Sequence, residues 1–161
     1  MSETYVHGYD ERASVRLKDQ ADALVDLLHS DTSYPDGSEV LEAGCGVGAQ
    51  TVTLAARSPG ARFTSVDISA DSLAEAKRRI DAAGLGNVRF ARGDVFALPY
   101  EPESFDHLLV CFLLEHLARP VDALVGLQRL IKPGGTVTVI EGDHGSTYFH
   151  PDSVAAQHTV Q

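Results

Sequence analysis

Residues 39–57, "EVLEAGCGVGAQTVTLAAR", decide the fold, because an apolar strand leads into a glycine-rich turn and then into a helix. Gly44, Gly46 and Gly48 allow the backbone to turn tightly and let a ligand approach without a Cβ in the way. Such a loop commonly holds a nucleotide. Glu42 precedes it, and a carboxylate there would repel a pyrophosphate but attract an ammonium group. The stretch therefore favours a nucleotide-like ligand that carries positive charge.

The rest of the chain continues the alternation of strands and helices. Helices are predicted over 11–29, 49–57, 70–83 and 120–131, and strands over 39–43, 62–68, 87–94, the start of 105–117, and 136–142 after the "KPGG" turn. Ser69 and Gly84 are suited to begin and end the helix between them. This alternation predicts an α/β fold, a Rossmann-like, doubly wound, mostly parallel sheet with helices on both faces. Ligands of such sheets bind at the carboxyl ends of the strands.

Polar and apolar side chains suited to a nucleoside lie at two of these strand ends. Asp67 ends the second strand, where a carboxylate can accept hydrogen bonds from both ribose hydroxyls. Ile68 beside it can cover one face of an adenine. Asp94, after the third strand, can accept from the exocyclic amine of adenine, while Val95 offers its N–H to a ring nitrogen. Ammonium, ribose and adenine are thus each matched by one strand end.

Composition narrows the class of partner. The net charge of −10, from 23 acidic and 13 basic residues, disfavours binding to nucleic acid or anionic lipid. No apolar run approaches the roughly 20 residues that span a bilayer, and the first residues lack a signal-peptide pattern. Cys45 and Cys111 cannot form a disulfide framework and are interpreted as buried fillers. We expect a single cytoplasmic domain with a small-molecule partner, no nucleic acid and no membrane span.

Five segments together indicate a family. "VLEAGCGVG", "VDIS", "GDVFALPY", "FDHLLVCFLLEHL" and "LIKPGGTVTVIE" follow one another within residues 39–141, which resemble the class I S-adenosylmethionine-dependent methyltransferases. The segments "FLLEHL" and "LPY" look most like those of the small-molecule branch, which includes the quinone-biosynthesis C-methyltransferases. This resemblance implies S-adenosyl-L-methionine as the cofactor and a small molecule as the methyl acceptor.

The resemblance also assigns residues to parts of the cofactor. It implies that Glu42 and the loop from Gly44 through Cys45 and Gly46 to Gly48 face the methionine part and that Asp67 faces the ribose. It also implies that Asp94 with Val95 faces the adenine and that Cys111 and Phe112 line the methyl-transfer site.

Titratable side chains follow the fourth and fifth strands, so they would gather near the cofactor sulfonium. Glu115, His116 and His144 are candidates for a general base that takes a proton from the acceptor, and Glu141 and Asp143 lie in the same region. The segment "EGDHG" lacks a recognised metal-ligand spacing, so no metal is predicted.

The chain departs from the family after the fifth strand. The family fold continues with a helix and an antiparallel strand pair, whereas only residues 143–161 follow here, so strands six and seven are expected to be missing. We predict an N-terminal lid and helix over 1–35, a cofactor-binding core over 36–142 and a short tail over 143–161, all in one methyltransferase domain that could be the N-terminal part of a longer protein. The uncovered strand edge is expected to form a homodimer or to bind the chain's own tail.

Two other functions stay open at this point. Gly44, Gly46 and Ala49 also satisfy the looser dinucleotide pattern G-x-G-x-x-A, so an NAD(P)-dependent oxidoreductase is the alternative enzyme. A cofactor-binding module without turnover is the non-enzymatic alternative. The methyl acceptor cannot be named from the sequence, because acceptor specificity resides in lids and insertions on a shared scaffold.

Overall fold

The computed structural model describes residues 27–142. Its strands are β1 (Glu39–Ala43), β2 (Arg62–Asp67), β3 (Val88–Arg92), β4 (Phe105–Cys111) and β5 (Ile131–Ile140), and its α-helices are α1 (Ala49–Arg57), α2 (Ala70–Ala82) and α3 (Pro120–Gln128). A single 3₁₀ turn covers Leu114–His116. The helix predicted over 11–29 enters the described residues only at 27–29, which are helical. Most of the predicted lid, the whole tail and His144 lie outside them.

The five strands form one sheet in the order β3-β2-β1-β4-β5, and every neighbouring pair is parallel. From β1 the chain first adds strands on one side and then crosses to the other, so the strand order reverses between β1 and β4. Ligands of open α/β sheets bind outside the carboxyl ends of the strands at this point. The predicted Rossmann-like fold is confirmed. None of the helices within 27–142 has the length and apolarity that crossing a bilayer requires.

Helices cover both faces of the sheet, as predicted. On one face, Leu54 and Ala55 of α1 pack with Tyr34 and with the sheet residues Val40, Phe63 and Leu109. On the other, Leu127 of α3 packs with the sheet residues Leu41, Val66, Leu108 and Val110. Because β1 and β4 are buried on both faces, they form the rigid centre from which the ligand-facing strand ends project.

Local capping sets the ends of α2. The Ser69 hydroxyl accepts a hydrogen bond from the Ser72 N–H at 3.2 Å, which confirms the predicted N-cap. At the other end Gly84 adopts a left-handed φ of 67°. Its N–H donates to the Asp81 carbonyl at 3.1 Å, and the Leu85 N–H donates to the Ile80 carbonyl at 3.2 Å. These two bonds form a Schellman motif, so the predicted role of Gly84 is confirmed as well.

Several boundaries differ from the prediction. The helix predicted over 120–131 ends at Gln128, because residue 131 already belongs to β5, and the clearest strand differences are those of β3 and β5. β3 ends at Arg92, two residues before Asp94, because the chain turns away from the sheet there. β5 begins at Ile131 and not after the "KPGG" turn, because Ile131 pairs with Phe105 before residues 132–135 bulge out and pairing resumes between Thr136 and His107. Lys132 anchors this bulge, since its Nζ lies 2.8 Å from Oδ1 of Asp106 on β4.

Candidate functional site

The glycine loop after β1 forms the centre of the site. Gly44, Gly46 and Gly48 have left-handed φ values of 76°, 54° and 75°. A Cβ on Gly44 would lie 2.7 Å from Cδ1 of Leu113, and one on Gly48 would lie 2.8 Å from Cβ of Ala76. Beside Gly46 no atom lies within 4 Å of that position. The loop is therefore packed from below at its two outer glycines and open to an approaching ligand at the middle one.

Hydrogen bonds to β2 fix the position of this loop. The N–H groups of Gly44 and Cys45 both donate to the Val66 carbonyl, at 2.8 and 3.0 Å. The next N–H, that of Gly46, donates to Oδ2 of Asp67 at 2.8 Å. Three successive amides are thus bound before any ligand arrives, and the loop is preorganised.

Glu42 lies beneath the loop as a buried carboxylate with only 2% of its surface exposed. Its Oε2 accepts hydrogen bonds from the Thr51 hydroxyl at 2.8 Å and from the Ser65 hydroxyl at 2.6 Å. Burial raises the pKa of Glu42, the two hydroxyls oppose that rise, and the nearby charge of Asp67 adds to it. A cation bound at the loop would favour the charged carboxylate again.

Asp67 connects the loop to the next strand end. It is 7% exposed, and its second oxygen, Oδ1, accepts from the Ser69 N–H at 2.9 Å. A carboxylate offers about four lone-pair sites, so two bound amides leave capacity for ribose hydroxyls. Ile68 follows with 53% of its surface exposed. The structure thus brings a carboxylate and an open apolar side chain together, as the sequence predicted.

The turn after β3 lies next to Asp67. The Gly93 N–H donates to the Asp67 carbonyl at 3.0 Å, which ties the two strand ends together. Asp94 is exposed, and its Oδ1 accepts from the Phe96 N–H at 3.0 Å in an Asx-type turn. Val95 is partly buried against the core. Asp94 therefore faces solvent on the side where an adenine contact was predicted, and that contact stays a prediction.

Cys111 and Phe112 lie at the end of β4, and we call these two residues the wall of the site. Cys111 is buried, and burial raises the pKa of its thiol to about 12, so it is a protonated, apolar filler. Cys45 is buried likewise. Phe112 has a φ of 53°, a left-handed conformation that costs a non-glycine residue about 1 to 3 kcal/mol. Such strain is typical of binding sites and persists only where the surroundings impose it.

Glu115 and His116 directly follow this wall in the 3₁₀ turn. Oε1 of Glu115 lies 3.7 Å from Nε2 of His116. Glu115 is exposed and His116 half-buried. Their role as a base stays a prediction. Within residues 27–142 no three His, Cys, Asp or Glu side chains are grouped as metal ligands.

Three site residues escaped the sequence analysis. Thr51 and Ser65, which hold Glu42, lie 9 and 23 residues away from it along the chain. The two hydroxyl residues in the middle of β2, Thr64 and Ser65, were the available signal for Ser65. Leu113 packs against Gly44, and its place in an apolar run gave no indication of that contact.

Comparisons with known proteins place these elements in a family. Residues 40–135 match the family model of the methyltransferase domain. The chain is 30% identical over 145 residues to the ubiquinone/menaquinone biosynthesis C-methyltransferase of Paracoccus denitrificans, covering 84% of this chain and 58% of that protein. It is 33% identical over 134 residues to the demethylmenaquinone methyltransferase of Staphylococcus aureus, covering 83% and 55%. The chain thus spans little more than half the length of these curated relatives.

A solved structure agrees with the fold. A SAM-dependent methyltransferase from Aquifex aeolicus superimposes with a TM-score of 0.71 at 18% identity, over 89% of this chain and 79% of that one. The family match includes every predicted cofactor residue from Glu42 to Phe112. The chain therefore belongs to the class I S-adenosylmethionine-dependent methyltransferase family, as its glycine loop and strand ends predicted.

Proposed function

We propose that this chain binds S-adenosylmethionine across the carboxyl ends of β1 to β4 and transfers its methyl group to a small-molecule acceptor. The observation that supports this most directly is the pair of buried carboxylates, Glu42 and Asp67, at an open glycine loop. A sulfonium and an ammonium would meet opposite charge there, and a pyrophosphate would meet like charge. An NAD(P)-dependent activity is disfavoured for this reason.

The proposed contacts follow the strand order. Glu42 lies under the methionine part, Asp67 accepts from the ribose hydroxyls, and Ile68 covers the adenine. The remaining contacts come from the loop residues Gly44, Cys45, Gly46 and Gly48, from Asp94 and Val95 beside the adenine, and from Cys111 and Phe112 beside the methyl group.

The chemistry requires positioning more than covalent participation by the protein. The cofactor, when bound, supplies an electrophilic methyl group on a sulfonium. The strained Phe112 wall and the preorganised loop would hold the acceptor in line with it, which contributes through proximity and orientation. Glu115, His116 or His144 would take the proton that the acceptor loses.

The class of the methyl acceptor is proposed from the names of the relatives. One is named for ubiquinone and menaquinone biosynthesis and the other for demethylmenaquinone. We propose an aromatic ring of the quinol type as acceptor. Incubation of the full chain with methyl-labelled S-adenosylmethionine and a short-chain demethylnaphthoquinol should place label in the organic extract. Label that appears only with amine acceptors would reject the quinol class, and label with neither would argue against turnover by this chain.

Glu42→Gln should raise stability and weaken cofactor binding in the same protein. A group whose pKa is raised in the folded state contributes stability below its unfolded pKa and loses it as pH rises through the folded value. Glutamine keeps the shape and cannot ionise, so we expect a gain of about 1 kcal/mol near pH 8, roughly 2 to 4 °C in Tm. The missing charge should weaken S-adenosylmethionine binding by about tenfold.

The matched measurements are thermal unfolding at pH 4.5 and pH 8 and calorimetric titration at pH 8. The stability gain should be smaller at pH 4.5, because the unfolded carboxyl has a pKa of 4.5 and is about half protonated there, while the folded carboxyl, whose pKa is raised, is largely protonated. Tighter binding by Glu42→Gln than by the wild type would reject the ammonium assignment.

We further propose a cytoplasmic location, since both buried cysteines are free thiols suited to a reducing compartment. The predicted division into lid, core and tail stays a proposal. So does the homodimer through β5, which is one of the two edge strands within 27–142 and leaves Val137 and Val139 44% and 43% exposed. Light scattering would test it, because a monomer at all concentrations contradicts the dimer.

A further inference from the structure

Three consecutive backbone amides after β4 are held by the end of β5. The Phe112 N–H donates to the Ile140 carbonyl at 2.8 Å. The N–H groups of Leu113 and Leu114 both donate to a single atom, Oε1 of Glu141, at 3.0 and 2.9 Å. The three amides of residues 112–114 are therefore all hydrogen-bonded, one to the last residue of β5 and two to the residue that follows it.

Glu141 supplies a cap that the local sequence lacks. Leu113 is the N-cap residue of the 3₁₀ turn, and its side chain cannot accept a hydrogen bond. The carboxylate reaches this position from 28 residues away in the chain. Two amides at the start of a helical turn bound to one anionic oxygen form a charge-assisted contact, which is stronger than a neutral one.

The same contact extends to the glycine loop. Leu113, whose amide Glu141 holds, packs so closely on Gly44 that a Cβ there would lie 2.7 Å from its Cδ1. A shift of Leu113 would therefore release the underside of the loop. Glu141 is connected in this way to the cofactor side of the site, although the described contacts place it only against backbone amides.

The second carboxylate oxygen shows that Glu141 is not optimised for stability alone. Its Oε2 is buried and has no hydrogen-bond partner within residues 27–142. A buried oxygen without a donor is costly, and a neutral glutamine could bind the same two amides. The capping contact therefore uses one oxygen of Glu141, and the oxygen of a glutamine could replace it.

We propose that Glu141 is a positioning residue for methyl transfer: it holds residues 112–114 against the glycine loop, so that the wall beside the transferred methyl is set before the cofactor binds. This role rests on the proposed function. Glu141 acts through Leu113 and Leu114 and touches neither reactant, unlike the base predicted nearby.

The test compares Glu141→Ala, Glu141→Gln and the control Glu101→Ala, which removes an exposed carboxylate in the β3–β4 connection. Amide exchange of Leu113 and Leu114, followed by NMR without ligand, reports the fastening. Calorimetry with S-adenosylhomocysteine reports the site. Glu141→Ala should speed exchange of both amides at least about tenfold and weaken binding about tenfold, since charge-assisted hydrogen bonds are lost. Glu141→Gln should restore both to within about threefold of the wild type, because its amide oxygen accepts both N–H groups.

Each other outcome has one meaning. If Glu141→Ala matches Glu101→Ala in exchange and in affinity, the positioning role is wrong. If Glu141→Gln exchanges like the wild type but binds like Glu141→Ala, charge acts directly on the cofactor and the role is also wrong. If the wild type binds no S-adenosylhomocysteine, the proposed function fails, while the exchange rates still decide the fastening. Should Glu141→Ala not fold, Glu141→Asp replaces it: the shorter side chain should lose the fastening, and wild-type behaviour would overturn the role.

Discussion

Asp67→Ala is expected to lower the affinity for S-adenosylmethionine by at least about a hundredfold, the largest effect on binding that we predict. Two ribose hydroxyls lose a charged acceptor, and each such hydrogen bond is worth roughly 1.5 to 3 kcal/mol. The substitution also removes the acceptor of the Gly46 N–H, so the open part of the loop loses its fixed position. Isothermal titration of the purified chain measures both effects together.

The control is Asp71→Ala, which removes an exposed carboxylate from the first turn of α2. It should leave the affinity within about twofold, since a single exposed charge near a helix end contributes only about 0.3 to 1 kcal/mol. Equal affinities of the two variants, with both folded, would remove Asp67 from the site.

Gly48→Ala is expected to destabilise the fold by about 2 to 5 kcal/mol. The residue has a φ of 75°, which costs an alanine about 1 to 2 kcal/mol. Its new Cβ would lie 2.8 Å from Cβ and 3.0 Å from Cα of Ala76. Overpacking of this kind costs about 1 to 3 kcal/mol more. Because α2 supplies the Ala76 backbone, it cannot yield as a flexible side chain would. Urea unfolding at neutral pH measures the loss.

Gly126→Ala is the matched control. Gly126 lies within α3, its φ is not left-handed, and a Cβ there meets nothing within 4 Å. Alanine should therefore stabilise α3 by about 0.5 to 1 kcal/mol. The two glycine-to-alanine changes should have opposite signs, and a loss of stability at Gly126 equal to that at Gly48 would contradict the packing described for the loop.

Local signals predicted the two helices that follow β1 and β2 accurately. α1 occupies 49–57 as predicted, because a left-handed glycine precedes it and Ser58-Pro59-Gly60 follows it. Ser69 and Gly84 cap α2 for equally local reasons. The meeting of Glu42 and Asp67 followed from one general rule, that parallel strands bring their carboxyl ends to one edge of a sheet.

What the sequence could not predict depends on contacts between distant residues. The hydroxyls that hold Glu42 and the carboxylate that holds Leu113 act across 9, 23 and 28 residues, and no local pattern marks such pairs. The left-handed Phe112 follows from tertiary constraint, because aromatic residues do not favour that conformation. The early start of β5 likewise depends on the pairing of Ile131 with the distant Phe105.

Calorimetric titration of the full chain with S-adenosylmethionine, S-adenosylhomocysteine and NAD tests the central claim most directly. Both sulfur ligands carry the ammonium that Glu42 is proposed to bind, whereas NAD lacks it and brings a pyrophosphate towards that carboxylate. We expect one molecule of either sulfur ligand to bind per chain. Titration with NAD should give no saturable heat of binding. Saturable binding of NAD without binding of S-adenosylmethionine would contradict the account.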